Sequence, residues 1–144
     1  AGRALAQTPK RGGRIKVASQ TSSTADTVDP AKQNNQTDYT RCFTFYNGLT
    51  RLDASLTPQL ELAEAIESDA SATVWTIKLR RDVKFHDGAP LTADDVVFSL
   101  ARHKDPATGS AAKALAMPMK EIVASGKNEV KITLTAVPDA PARL

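Results

Sequence analysis

Apolar and polar residues alternate most cleanly over residues 75–80. Trp75, Ile77 and Leu79 fall on one side of an extended segment, and Thr76, Lys78 and Arg80 on the other. Successive side chains of a strand point to opposite faces, so this is the pattern of a half-buried strand. Upstream, Ala65 and Glu67 alternate with Ile66, and "DASAT" supplies turn residues, so the two runs predict an antiparallel hairpin. A second hairpin is predicted over "EIVASGKNEVKITLTAV". There Val130, Ile132 and Leu134 alternate with Lys131, Thr133 and Thr135, and Gly126-Lys127-Asn128 forms the turn. Nearer the start, "RIKVAS" sets Ile15 and Val17 on one face of a short first strand, residues 14–19. The mostly polar stretch from Gln20 to Asp38 predicts a long loop, of the kind that is functional or disordered. "TRCFTFYNGLTRL" then spaces Phe43, Tyr46 and Leu49 as a helix does, with Asn47-Gly48 as a left-handed stop. A weaker helix is predicted near "SAAKALAM". The fold class is α+β, an antiparallel sheet of about four strands covered by helices.

Between the hairpins lies "VKFHDGAPLTADDVVFSL", which carries His86, Asp87, Asp94 and Asp95 within ten residues. The local pattern argues for structure rather than chemistry. Asp87-Gly88 is a turn dipeptide, and Pro90 keeps the following residues extended. Thr92 followed by Asp95 has the spacing of a capping box. Asp94 and Asp95 then occupy the first turn of a helix, where free amides favour negative charge. Val96, Val97, Leu100 and Ala101 supply its buried side, Arg102, His103 and Lys104 its last turn, and Asp105-Pro106 its end. A histidine and the aspartate after it on an extended segment point to opposite faces, and adjacent helical aspartates diverge by about 100°. No metal site or acid–base pair is therefore expected here.

Composition narrows the classes further. The chain has 144 residues, enough for one domain with a real core, and a net charge of +3. Arg3, Lys10, Arg11 and Arg14 form part of that charge in an arm without aromatic neighbours, which argues against nucleic-acid binding. Cys42 is the only cysteine, so no intrachain disulfide forms, and it is read as a buried thiol. No apolar run approaches the roughly 20 residues of a membrane span. Ala4-Leu5-Ala6 before Gln7 has the small-x-small pattern of an export-signal cleavage site.

The stretch "VWTIKLRRDVKFHDGAPLTADDVVFSLAR", residues 74–102, closely resembles the signature of family 5 extracellular solute-binding proteins, the dipeptide-, oligopeptide- and nickel-binding proteins of bacterial ABC importers. Flanking segments agree in order. "GGRIKVAS" is similar to the family's first strand, and "TVDPAKQNN" to its "x-L-D-P" turn with Val28 in place of Leu. "FYNGLTRLDASLTPQLELAEAIE" resembles the family's "Y-E-G-L-V-R … L-x-P-x-L-A-x-x-W-E" segment, with Asn47 for Glu and Ile66 for Trp. "GKNEVKITLTAVPDAPARL" resembles the stretch that ends "P-x-A-P-F".

The resemblance implies an N-terminal piece of a two-lobed, type II periplasmic-binding-protein fold. Residues 1–12 would be a signal-peptide remnant and flexible arm. Residues 13–38 would be the first strand and polar loop of the lobe that holds both termini, and 39–144 the accessory α/β subdomain, ending before the hinge and second lobe. It implies a substrate-binding component of an ABC importer that captures a small solute, a peptide above all, in the periplasm or lipid-anchored outside the membrane. The solute is passed to permease subunits; no bond is made or broken, no cofactor or metal is used, and no residue is catalytic. The residues implied to contact ligand are Gln33, Asn34 and Asn35, just after the "D-P" turn, and the bland alternative for them is a solvated loop. The full-length protein is expected to be monomeric, and a piece with an unpartnered first strand to self-associate through it. Two alternatives are an enzyme using the His86/Asp87 region and a stand-alone interaction module without a ligand cleft.

Overall fold

In the computed structural model, which describes residues 12–136, both hairpins read from the alternation form and join in one sheet. The elements in chain order are helix α1 (Gln36–Phe45) and strands β1 (Thr50–Leu52), β2 (Pro58–Leu60), β3 (Ala63–Ser68) and β4 (Val74–Leu79). Helix α2 (Ala93–Arg102), the one-turn helix α3 (Lys113–Ala116) and strands β5 (Met119–Gly126) and β6 (Glu129–Leu134) come next. The four long strands are antiparallel in the order β3-β4-β6-β5, while β1 and β2 make a separate small hairpin. The fold is α+β.

The register explains which side is buried. Ile66 pairs with Ile77, Ile77 with Val130, Trp75 with Ile132 and Ile122 with Ile132. Paired residues share a face, so these apolar side chains line one side of the sheet. Helix α2 lies on that side, where Ala93, Val96, Val97 and Leu100 pack with Ala63, Ile77, Leu79, Leu91, Val130 and Ile132. Leu79 and Val130 are fully buried; burying a leucine side chain stabilises by about 2 kcal/mol. The opposite face carries Glu67, Thr76, Lys78, Lys131 and Thr133, with an exposed Lys78–Glu67 ion pair at 3.5 Å.

Turns attach the helix to the sheet. Asp87 Oδ1 accepts from the Ala89 N–H at 2.9 Å, and Gly88 has φ +91°, a conformation that favours glycine. The chain doubles back there, with Leu91 N–H donating to Val83 C=O at 3.0 Å. Asp95 Oδ2 accepts from both the N–H and the hydroxyl of Thr92, at 2.8 and 2.7 Å, closing the carboxylate half of the expected box. Lys127 C=O in the β5–β6 turn then accepts from the Ala93 N–H at 2.9 Å, docking the start of α2 on the sheet.

Four expectations need correction. Residues 14–19 are not a strand: among the described residues no strand pairs with them, and Ile15 and Val17 are 87% and 74% exposed. Helix α1 begins at Gln36, inside the stretch read as loop, so the 38/39 division falls within a helix. That helix stops at Phe45, before Asn47-Gly48, because Tyr46 turns to an extended conformation. Its aromatic residues face outward, with Phe43 81% exposed. Gly48 is needed for close approach rather than left-handedness, since a Cβ there would stand 2.6 Å from the Thr50 carbonyl oxygen. The weaker helix shrinks to the single turn of α3. Ala4-Leu5-Ala6 and the "VPDAPARL" end, residues 137–144, lie outside the described residues.

Candidate functional site

The polar stretch owes its order to a buried carboxylate. Asp38, in the first turn of α1, is 0% exposed. Its Oδ1 accepts from the Thr27 N–H at 2.8 Å, and its Oδ2 from the Asn34 N–H at 3.3 Å and from Asn35 Nδ2 at 3.1 Å. Arg41, one turn on, approaches Asp38 at 4.0 Å and pairs with Asp26 at 3.3 Å. A buried carboxylate persists only with such donors, and the amides at a helix start favour it further. Thr37 Oγ1 adds bonds to Ser19 Oγ and to the Thr21 carbonyl. Residues 19–41 thus fold around polar rather than apolar contacts.

The three residues expected to meet ligand have different fates. Asn35 is the N-cap of α1: its Oδ1 accepts from the Thr37 and Asp38 N–H groups at 2.8 and 3.2 Å, and its Nδ2 donates to Asp26, Asn34 and Asp38. Its side chain is spent on structure. Asn34 is exposed; its N–H goes to Asp38, its Oδ1 accepts from Asn35, and among the described residues its Nδ2 has no partner. Gln33 is half-buried, and its Oε1 is buried without a hydrogen-bond partner among the described residues.

Helix α2 fixes this loop from outside. Arg102 grips Asp29 with both terminal nitrogens, at 3.1 and 2.8 Å. The hydrogen bond from Arg102 holds the Asp29 carboxyl below its ordinary value of 3.8 against the opposing effect of burial, and the same bond raises Arg102. Beside it, His103 Nδ1 and Ser110 Oγ are 2.7 Å apart, and Lys104 Nζ donates to the Met119 carbonyl at 2.5 Å. Ala111 N–H donates to Ala31 C=O at 3.1 Å. Burial, and then the nearby Asp38 and Asp29, push the Cys42 thiol up, which keeps it protonated and inert.

Asp26, Asp38, Arg41 and Arg102, which hold this loop, are not among the residues the sequence singles out for it. One signal was present: Asn35-x-x-Asp38 has the same cap-to-acid spacing as Thr92-x-x-Asp95. The long-range Arg102–Asp29 pair leaves no local trace.

The His86 region holds no comparable arrangement. His86 and Asp87 are exposed, and among the described residues His86 has no hydrogen-bond partner and no three His, Cys, Asp or Glu side chains converge on a metal position. One surface depression lies away from the loop, between Glu64, Lys78, Arg81, Lys127 and Glu129; open and of mixed charge, it selects for neither sign. A shallower apolar groove lies on the inner sheet face, lined by Ile66, Trp75, Ile77, Met119, Ile132 and Leu134.

Known proteins match this architecture. Residues 57–144 match the family described as "Bacterial extracellular solute-binding proteins, family 5 Middle". The oligopeptide-binding protein AppA of Bacillus subtilis (strain 168) is 46% identical over 54 residues, 38% of this chain and 10% of AppA. The glutathione-binding protein GsiB of Escherichia coli (strain K12) is 32% identical over 108 residues, 75% of this chain and 21% of GsiB. Among solved structures, MoaA from A. tumefaciens R10, in complex with mannopinic acid, superposes with a TM-score of 0.71 at 39% identity, covering 78% of this chain and 24% of MoaA. The chain spans between 10% and 21% of the length of these two curated relatives.

Proposed function

The chain belongs to family 5 of the bacterial extracellular solute-binding proteins, and from that premise we propose that it forms part of the substrate-binding component of an ABC importer. It acts by binding, not catalysis, capturing a small solute outside the cytoplasmic membrane and handing it to the permease. Peptides are the favoured class, in keeping with the relatives named as oligopeptide- and glutathione-binding proteins. Export with a signal ending near Ala4-Leu5-Ala6, into the periplasm or to an anchored position outside the membrane, belongs to the same reading.

The observation that carries the ligand loop is its preorganisation together with its unspent amides. Asp38 and Arg102 hold the backbone of residues 27–38, while the exposed Asn34 keeps an unpaired Nδ2 and the buried Gln33 Oε1 is unpaired among the described residues. Every carboxylate of the loop is engaged by arginine: Asp26 and Asp38 by Arg41, Asp29 by Arg102. Apart from the exposed Lys32, the loop therefore offers neutral donor and acceptor groups, suited to a peptide backbone rather than to an ammonium group. A loop already ordered loses little entropy on binding. In a two-lobed receptor such a contact counts most when closure of the lobes excludes water around the ligand, shifting the population toward the closed state.

A thermal-shift screen of the 144-residue chain against short peptides, sugars and metal chelates tests this reading. Stabilisation by millimolar peptide that is lost in Asn34→Ala is expected. Turnover of any ligand, or a metal chelate as the sole stabiliser, would contradict it.

A further inference from the structure

We propose that Arg102 is a positioning residue for the ligand loop: its grip on Asp29 sets where Gln33 and Asn34 stand relative to the sheet. The inference rests on the reading of that loop as ligand-facing and adds the device that aims it.

The bonds formed by Asp38 cannot do this. All of them run within residues 26–41, so they would travel with the loop if it swung as a body. Among the described residues, residues 12–46 reach the sheet and α2 by hydrogen bonds at two places, Asp29 to Arg102 and Ala31 to Ala111. Both lead to the same turn of α2. Arg102 makes the first directly. The second involves Ala111, which comes directly after Ser110, the residue bonded to His103. That turn is itself fixed, because Val96, Val97 and Leu100 pack α2 into the core and Lys104 ties it to the Met119 carbonyl.

Geometry transmits the constraint. A guanidinium that meets a carboxylate through two parallel bonds fixes direction as well as distance. Asp29 is four residues from Gln33, and the intervening chain is a turn closed by Lys32 N–H on Asp29 C=O at 3.0 Å, so little slack remains. Ala31 is 3% exposed, seated against the 110–111 segment. Among the described residues, loss of the Arg102 grip leaves the loop joined to α2 and the sheet by one neutral backbone bond, by the packing of Ala31 and by the chain beyond Tyr46.

Amide exchange by NMR on the 144-residue chain tests this, with Ala111 N–H as reporter of docking and Val130 N–H as reporter of the sheet. In Arg102→Ala the Ala111 amide is expected to exchange about tenfold or more faster while Val130 keeps its protection. Unchanged Ala111 protection overturns the proposal. Should Arg102→Ala unfold the sheet as well, Arg102→Lys decides: it keeps the charge without the fork, so Ala111 exchange must rise with Val130 protected. The exchanged pair Asp29→Arg with Arg102→Asp must restore Ala111 protection, and failure to do so also counts against it. No ligand enters these measurements. The ligand reading fails separately, if trialanine leaves the Gln33 and Asn34 amide shifts of the unaltered chain unmoved.

Discussion

Asn35 and Asp38 bond each other in both directions: Asn35 Oδ1 accepts from the Asp38 N–H at 3.2 Å, and Asn35 Nδ2 donates to Asp38 Oδ2 at 3.1 Å. The pair starts helix α1 and closes the loop before it, which separates two neighbouring asparagines by role. Asn35→Ala removes a helix cap and a donor to a buried carboxylate, and should cost about 1–2 kcal/mol. Asn34→Ala, at an exposed side chain, should stay within about 0.5 kcal/mol of the unaltered chain and lose the response to peptide. Urea unfolding with a constant slope measures both; equal costs would show that Asn34 is structural too.

At the start of α2 the same spacing again ties the N-cap side chain to the aspartate three residues on. Thr92 sends its N–H and its hydroxyl to one oxygen of Asp95. Thr92→Ala and Asp95→Ala should each destabilise by about 1 kcal/mol. The double variant should cost little more than the worse single one, because the two side chains share one interaction. Strictly additive losses in chemical denaturation would contradict the shared bond.

Trp75 stands on the inner sheet face opposite Ile132, lining the apolar groove there, and is half-buried. Its indole N–H donates to the Ala72 carbonyl at 2.9 Å. Fluorescence of the folded chain should lie between the buried and solvent-exposed extremes and shift to the red on unfolding. Trp75→Ala should cost about 2–3 kcal/mol, below the usual 3–5 for a fully enclosed aromatic ring. An emission maximum that does not move on unfolding would place the ring outside the core.

Acid should act through Asp29 and Asp69. Asp29 lies below 3.8 because of Arg102; Asp69 is pulled down to about 2 by the Ser71 hydroxyl first and the Val74 and Thr73 amides next. Both folded values are depressed, so their stabilisation is complete above the unfolded value of about 3.8 and is lost as pH falls through the folded ones. These groups should leave stability flat from about pH 5 to 7 and erode it below about 4. Carboxyl titration by NMR separates them. Arg102→Ala should return Asp29 toward 3.8 and leave Asp69 in place; an unmoved Asp29 would mean that Arg102 does not govern it.

Local patterns carried most of the sheet and α2 into view. Residues 74–79 and 129–134 alternate cleanly because one face meets α2 and the other meets water. The Thr92/Asp95 box and the Asp87-Gly88 turn are spelled out within a few residues. The order of residues 20–38 was harder to see. Its core is Asp38 with Asn35, Asp26 and Arg41, polar groups that show no hydrophobic period, so ordered chain looked like loop. The first strand was overread, since alternation at Ile15 and Val17 states a tendency and only a pairing partner makes a strand. Asp29 and Arg102 meet across 73 residues, a relationship that only the fold creates.

Chemical-shift mapping of the 144-residue chain with trialanine, at concentrations up to millimolar, bears most directly on the claim that this is a ligand-binding piece of a solute receptor. Weak, saturable shifts confined to Gln33, Asn34 and their loop neighbours are expected, with the peptide recovered intact and His86→Ala without effect. Weakness is expected because a single loop gives a few exposed hydrogen bonds, which water matches at little net gain. Shifts centred on residues 83–91 and abolished by His86→Ala, or hydrolysis of the peptide, would contradict the claim.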